Sequence, residues 1–126
     1  MDTAVTEITI NGVQYVPKLG HQAQPVPCYN NDGLKYVIVR CDRAGVFAGY
    51  LFVHKSTEAT LYNARRIWYW EGAASLSQLA MEGTKKPSSC KFPCAVGRIE
   101  LTGVLEVIDC TEAARKSIES VKEWKV

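Results

Sequence analysis

Over most of the chain, apolar and polar residues alternate in short runs, the pattern of half-buried β-strands. Three such runs follow one another with short turns between them: "YVIVRCDR" (36–43), "VFAGYLFVHK" (46–55) and "TLYNARRIWYW" (60–70). A fourth run, "RIELTGVLEVIDC" (98–110), is longer and contains Gly103, which predicts a bulge or a sharp bend there. These runs predict a small antiparallel sheet or a partly closed barrel. Four apolar residues of the fourth run are expected to share one face: Ile99, Leu101, Leu105 and Val107.

Two segments carry the capping signals and apolar spacing of short α-helices. Ser75 and Gln78 have the spacing of a capping box, and Gly83 is expected to end the helix in a left-handed conformation. Thr111 precedes "EAARKSIESV", in which apolar residues recur at helical spacing. The predicted fold is therefore α+β and mainly β, with one short helix after the third strand and one C-terminal helix. The closing "KEWKV" is compatible with a last short strand.

The first 34 residues have a different pattern. Two β-rich runs flank Asn11-Gly12, a strong hairpin signal because both residues tolerate positive φ. The following "PKLGHQAQPVPCYNNDG" contains three prolines and two glycines and has little periodicity. We therefore expect a hairpin and extended arm over residues 1–34, and a compact β-rich domain over residues 35–126. The arm is a candidate for packing on a neighbouring subunit.

Length and charge exclude several classes of protein. A chain of 126 residues is one domain in size. The net charge is only +2, although residues 35–70 carry an excess of +4. Binders of duplex nucleic acid usually carry a larger positive excess, whereas a small anionic ligand needs only a few converging cations. The sequence shows neither a secretory signal nor the roughly 18 apolar residues of a membrane helix. We expect a cytoplasmic protein without membrane contact.

The cysteines and histidines do not form a recognisable metal or catalytic motif. Five cysteines without a secretory signal indicate reduced thiols. Cys90 and Cys94 lie four apart, but there is no second cysteine pair, and His21 and His54 are isolated. No nucleophile and base have a familiar spacing. We therefore expect no metal, no cofactor and no enzymatic activity.

The candidate chemistry lies in "NARRIWYW" (63–70) and in the basic segment 83–98, which has four cations and no acid. In a strand, Arg66 shares one face with Trp68 and Trp70, while Arg65 lies on the other. A guanidinium beside two indoles suits a nucleobase and its phosphates, but such tryptophans also suit a core or a subunit interface. The predicted ligand-binding residues are Arg40, Arg65, Arg66, Trp68, Trp70, Lys91, Phe92, Arg98 and Arg115.

Three stretches carry a resemblance to known proteins: "RAGVFAGYL", "NARRIWYWEGAASLSQLAMEG" and "GVLEVIDCTEAARKSI". Through them, residues 36–126 resemble a family of small uncharacterised proteins encoded by bacteriophages and prophages. The same block looks like the first Thoeris anti-defence family, phage proteins that sequester cyclic ADP-ribose signals. The resemblance implies a β-rich oligomer in the host bacterial cytoplasm. Its implied ligand is glycocyclic ADP-ribose, or in some members a cyclic oligonucleotide, bound without cleavage.

Two functions are open at this point. One is an anti-defence protein that binds a cyclic nucleotide signal of the host; the other is a phage structural or assembly protein without a small-molecule ligand. A cleft with converging arginines favours the first, and an aromatic patch that an oligomer covers favours the second. In both cases we expect a homo-oligomer, because three tryptophans and an arm leave much apolar surface on so small a domain.

Overall fold

The computed structural model describes residues 8–10, 13–15 and 26–126. This part of the chain contains seven strands, two α-helices and a short 3-10 helix, Pro87–Ser89. The strands are β1 (Ile8–Ile10), β2 (Val13–Tyr15), β3 (Tyr36–Cys41), β4 (Gly45–Lys55), β5 (Glu58–Arg66), β6 (Val96–Thr102) and β7 (Val104–Asp109). The α-helices are α1 (Leu76–Glu82) and α2 (Glu112–Ser120).

Five strands form one antiparallel sheet in the order β6–β5–β4–β3–β7, and with the two helices they confirm the predicted mainly-β α+β class. β6 and β7 are opposite edges of this sheet, yet only Gly103 separates them along the chain. The Cα atoms of Thr102 and Val104 are therefore at most about 7 Å apart. Five flat strands would hold their edges about 19 Å apart. The sheet consequently curls strongly at this end, and Gly103, at φ +70°, is the predicted bend.

A bulge in β7 changes which side chains face inward. Val104 pairs with Cys41 and Glu106 pairs with Arg40, so Leu105 is the extra residue. Val104 is buried, whereas Leu105 is 55% exposed. The prediction that Leu105 shares the face of its apolar neighbours is wrong, because one extra residue reverses the alternation of a strand.

Both faces of the sheet are covered by apolar side chains. On the face towards the helices, Ile38 packs with Leu79 of α1 and Ile118 of α2. On the other face, Val39 and Phe47 belong to a second cluster, to which all five strands contribute across the curl. β3 is therefore buried on both sides and forms the centre of the domain.

Side-chain caps fix where the helices begin. The Ser75 hydroxyl accepts from the Gln78 amide at 3.1 Å, and the Gln78 side chain accepts from the Ala74 amide at 2.8 Å. The Thr111 hydroxyl accepts from the Ala114 amide at 3.1 Å. Both predicted N-terminal caps are confirmed. None of the helices within the described residues is long and apolar enough to cross a membrane.

The N-terminal hairpin is confirmed, since β1 and β2 pair antiparallel. Asn11, Gly12 and most of the predicted extended arm (16–25) lie outside the described residues. The end of the predicted arm is built into the sheet domain. There, the Cys28 amide donates to the Cys110 carbonyl at 3.1 Å, the Tyr36 amide donates to the Cys28 carbonyl at 2.7 Å, and the Cys28 side chain is buried.

Candidate functional site

The segment that follows β5 is extended but only partly paired. β5 ends at Arg66, four residues before the predicted end of the third strand, because its partner β4 begins at Gly45. Ile67 still donates to the Val46 carbonyl at 2.8 Å, and Tyr69 forms an isolated bridge with Lys91. The aromatic residues beyond Arg66 therefore lie outside the ladder of the five-stranded sheet.

Arg66, Trp68 and Trp70, predicted to share a face, line one groove of about 270 Å³ together with Arg43. Four further residues complete its lining: Ala44, Gly45, Val46 and Ile67. The lining thus holds two guanidinium groups and two indoles and no carboxylate. We call it the Arg66 groove.

Arg66 is held firmly but is not covered. Its Nη1 donates to the Ala44 carbonyl at 2.7 Å, and its guanidinium carbon lies 4.4 Å from the centre of the Phe47 ring. Gly45, at φ +103°, passes beside it, and a Cβ there would lie 3.9 Å from Nη1. A guanidinium has five N–H donors, and Arg66 uses one of them within the described residues. The others are available to a ligand.

The two tryptophans of the groove differ in their freedom. Trp70 is half-buried against the helix-side core, and its Nε1 donates to the Ala73 carbonyl at 3.2 Å. Trp68 is 62% exposed, and its ring is nearly parallel to that of Trp124, with 8° between the planes and 6.4 Å between centroids. Trp70 is therefore a fixed wall, and Trp68 presents an accessible aromatic surface.

Trp124 and Arg43 were not predicted as site residues. Trp124 is positioned by its amide, which donates to the Phe92 carbonyl at 3.0 Å, and Lys91 Nζ lies 5.7 Å from its ring centre. The short strand that the sequence allows in "KEWKV" is reduced to one parallel bridge between Glu123 and Phe92, and nothing in its pattern identifies Phe92 as the partner. Arg43 lies in the turn between β3 and β4, and its charge was the only signal in the sequence.

Arg65 lies on the opposite face of β5 and binds the protein itself. Its guanidinium donates to four main-chain carbonyls at 2.7–3.0 Å, those of Phe92, Pro93, Ile118 and Val121. Two of these carbonyls, those of Ile118 and Val121, lie at the C-terminal end of α2, where no further turn of helix supplies donors, although the Ile118 carbonyl also accepts from the Val121 amide at 3.3 Å. Burial lowers the pKa of Arg65 below its ordinary value, since desolvation disfavours the charged form. This arginine ties α2 to the sheet.

The other predicted binding residues do not reach the Arg66 groove. Phe92 is completely buried in the helix-side core, and its ring centre lies 5.5 Å from the Arg65 guanidinium carbon. Phe92 is therefore a core residue, and its aromatic ring serves the packing of the core rather than the binding of a ligand. Lys91 does not line the groove, and its Nζ lies 5.8 Å from the ring centre of Tyr69 and 5.7 Å from that of Trp124. Three arginines on other surfaces are each paired with a carboxylate: Arg40 with Glu106, Arg98 with Glu100 and Arg115 with Glu119.

The described residues contain no group of three or more histidine, cysteine or acidic side chains able to hold a metal ion. All five cysteines are unpaired, and four of them are buried. Burial raises the pKa of Cys110 from 9.0 to about 12, so this thiol stays protonated at neutral pH.

Residues 34–118, about two thirds of the chain, match a domain of unknown function, DUF6948. The protein belongs to the DUF6948 family. The DUF6948 match includes all five strands of the sheet, and with them Arg43, Arg66, Trp68 and Trp70 of the groove. Trp124 lies beyond the matched DUF6948 residues. No curated protein and no solved structure matches the chain significantly.

Proposed function

We propose that this DUF6948 protein binds an anionic nucleotide in the Arg66 groove and retains it chemically unchanged. The observation that carries the proposal is the convergence of Arg43 and Arg66 beside Trp68 and Trp70 in a lining without a carboxylate. Arginine forks match phosphate oxygens, and exposed indole faces stack on nucleobases. The groove therefore contains groups that can bind both the phosphates and the base of a nucleotide.

The positions of the side chains suggest how the ligand lies. Its phosphates are expected between Arg43 and Arg66, where Gly45 leaves the guanidinium uncovered. Its base is expected on the exposed ring of Trp68. Hydrogen bonds to charged groups contribute about 1.5–3 kcal/mol each. Phosphate bonds from two arginines and one stacked base therefore supply a gross contribution of about 4–9 kcal/mol, part of which offsets the entropy lost on binding.

The resemblance to phage proteins extends the proposal to a biological role. We propose that the protein is a phage anti-defence protein that sequesters a cyclic nucleotide immune signal in the host bacterial cytoplasm. The signal belongs to the glycocyclic ADP-ribose class or to the cyclic oligonucleotides. Sequestration acts by mass action and needs tight binding of the ground state, whereas catalysis needs groups that stabilise a transition state. We assign no catalytic step to the groove.

A release experiment tests this function. The protein is incubated with cyclic ADP-ribose isomers and with cyclic di- and trinucleotides, and binding is measured by calorimetry. The complex is then heated, and the supernatant is analysed by chromatography. We expect at least one intact nucleotide to be released. A hydrolysed product would instead indicate an enzyme.

The exposed aromatic residues support a second candidate, an assembly role without a small-molecule ligand. Trp68 and Trp124 are 62% and 45% exposed and stack on each other, and Tyr69 beside them is 44% exposed. Aromatic side chains of this kind are enriched at protein interfaces. Light scattering distinguishes the candidates. If assembly is the function, Trp124→Ala lowers the mass of a homo-oligomer, and no nucleotide binds.

A further inference from the structure

A second pocket, of about 350 Å³, lies on the side of β5 that Arg65 faces. Its inner lining includes Tyr36 and Arg65, which are buried, and its outer lining includes Glu119 and Glu123, which are exposed. Asn63 also lines it. We call it the Tyr36 pocket. It shares no lining residue with the Arg66 groove.

The Tyr36 hydroxyl has no hydrogen-bond partner within the described residues, although the side chain is completely buried. Nearly all buried hydroxyl groups in folded proteins are hydrogen-bonded, so an unpartnered one points to a ligand or a bound water. The ring itself is fixed, since it packs edge to face on Tyr50 with 5.0 Å between centroids. The hydroxyl is therefore a positioned and unused polar group of the pocket.

The Arg65 guanidinium supplies the second unused group. Four of its five N–H donors bind main-chain carbonyls, which leaves one N–H on Nη2. The side chain is only 7% exposed, and it forms no ion pair with a carboxylate in the described part of the chain. A buried charge is unfavourable unless it is paired, and Glu123 and Glu119 act on Arg65 from a distance without bonding to it. The inner end of the pocket is therefore suited to a carboxylate.

A β-bulge brings Asn63 into the pocket. Tyr50 pairs with Tyr62 and Ala48 pairs with Arg65, so two residues of β5 oppose the single Gly49. Asn63 adopts φ +51° there, a left-handed conformation that few residues other than glycine and asparagine accept. Bulges next to sites redirect a side chain, and asparagine tolerates the backbone conformation that this bulge requires.

The outer end of the pocket has the opposite charge. Glu119 accepts from Arg115 Nη1, and Glu123 has no ion pair among the described residues. An ammonium group beside these two carboxylates would find a favourable environment. Buried Arg65 and exposed Glu119 and Glu123 therefore place opposite charges in the lining of one small pocket.

We propose that the Tyr36 pocket binds a small zwitterion of the α-amino acid class. Its carboxylate accepts from the Tyr36 hydroxyl and from Arg65 Nη2, and its ammonium group donates to Glu119 and Glu123. A volume of about 350 Å³ lies at the lower end of the range for ligand pockets and suits a molecule of this size. The proposal is independent of nucleotide binding in the Arg66 groove.

Calorimetry with the full-length protein tests the charge requirement. A panel of L-amino acids is compared with propionate and propylamine, which each carry one of the two charges. We expect at least one amino acid to bind with a Kd below about 1 mM, and both one-charge compounds to bind at least tenfold more weakly. Equal affinity for propionate would contradict the proposal. So would the failure of every amino acid to bind at about 10 mM.

Two variants locate the binding site. Glu123→Gln removes an exposed charge at the outer end, and we expect it to weaken amino acid binding roughly tenfold while leaving propionate unaffected. Tyr36→Phe removes only the hydroxyl and is expected to weaken both. The control is Glu112→Gln, an exposed carboxylate on α2 that pairs with Lys116 and does not line the pocket. Wild-type affinity in both pocket variants would place the binding elsewhere and overturn the proposal.

Discussion

Arg65 and Arg66 are adjacent in β5, and their guanidinium groups lie on opposite faces of the sheet. Arg65 donates to four main-chain carbonyls and is 7% exposed. Arg66 donates to the Ala44 carbonyl and lies 4.4 Å from the centre of the Phe47 ring, beside the groove that contains Trp68. Arg65 therefore stabilises the fold, whereas the guanidinium of Arg66 is accessible from the groove.

The two arginines should therefore respond differently to truncation. Arg65→Ala removes the side-chain donor of four carbonyls, of which those of Phe92 and Ile118 keep a main-chain donor, and is expected to lower the free energy of unfolding by about 3 kcal/mol or more. Arg66→Ala loses one hydrogen bond and a contact with an aromatic ring, which costs about 1–2 kcal/mol. Urea denaturation of the two variants measures the difference. Equal destabilisation would contradict the separate roles of the two residues.

Gly103 allows one segment to supply both edges of the sheet. Gly103→Ala places a side chain at φ +70°, which costs about 1–2 kcal/mol, although a Cβ there meets its nearest atom at an ordinary 3.5 Å. Gly97→Ala, in β6, is the matched control because its Cβ meets nothing within 4 Å. We expect thermal denaturation to show a lower Tm for the first variant and an unchanged or slightly higher Tm for the second. The reverse order would show that the bend lies elsewhere.

The unpartnered hydroxyl of Tyr36 predicts an unusual response to mutation in the absence of a ligand. Replacing a hydrogen-bonded buried tyrosine by phenylalanine normally costs about 1 kcal/mol, because its partner is left unsatisfied. Tyr36 has no such partner in the described residues, so Tyr36→Phe is expected to leave stability unchanged or to raise it. Chemical denaturation of the ligand-free protein checks this. A loss above about 1 kcal/mol would reveal a hydrogen bond.

The buried thiol of Cys110 predicts how stability depends on alkaline pH. Burial raises its pKa from 9.0 to about 12, so between these values the unfolded chain loses a proton that the folded protein keeps. This contribution to stability is complete below pH 9 and is lost as the pH rises towards 12. Its full size is about 4 kcal/mol. Burial raises the pKa of Tyr36 as well and acts in the same direction.

Denaturation at pH values from 7.5 to 11.5 measures this effect. Cys110→Ala is expected to have a shallower fall in the free energy of unfolding above pH 9 than the wild type, whatever its stability at neutral pH. Cys94→Ala, which changes an exposed thiol, is the control and should follow the wild-type slope. Parallel curves for Cys110→Ala and the wild type would show that this thiol ionises normally in the folded protein.

Much of the fold could be predicted because its signals are local. The Ser75 and Thr111 caps, the alternation of β3 and the glycine at the bend each depend on a few neighbouring residues. β6 pairs with β5 and β7 pairs with β3, which makes them opposite edges of the sheet, and these contacts between residues far apart in the sequence are not revealed by alternation alone. Bulges are also invisible to a strict two-residue period, which is why the face of Leu105 was predicted wrongly.

The site was predictable only in part, for the same reason. Strand alternation correctly separated Arg65 from Arg66. The groove does bring Arg66 together with Trp68 and Trp70, but it also includes Ile67, which alternation assigns to the face of Arg65. Alternation does not show which of the two faces is functional. In the sequence, an arginine that binds main-chain carbonyls cannot be distinguished from an arginine that is free to bind a ligand. Trp124 reaches Trp68 only through the folding of the C-terminal segment onto Phe92. Tertiary contacts of this kind are absent from any local pattern.

The central claim is that the Arg66 groove binds an anionic nucleotide, and calorimetry on matched arginine variants tests it most directly. Wild type, Arg43→Ala and Arg98→Ala are titrated with cyclic ADP-ribose isomers and cyclic di- and trinucleotides. Arg43 lines the groove and Arg98 does not, and both are exposed, so neither substitution should affect folding.

We expect at least one nucleotide to bind the wild type with a Kd below about 10 μM, a free energy of about 7 kcal/mol. Arg43→Ala should weaken that binding by roughly tenfold to a hundredfold, as should Trp68→Ala, because each removes a contact of about 1.5–3 kcal/mol. Arg98→Ala should bind like the wild type. If no nucleotide binds below about 10 μM, or if Arg43→Ala binds as tightly as Arg98→Ala, the groove is not a nucleotide site.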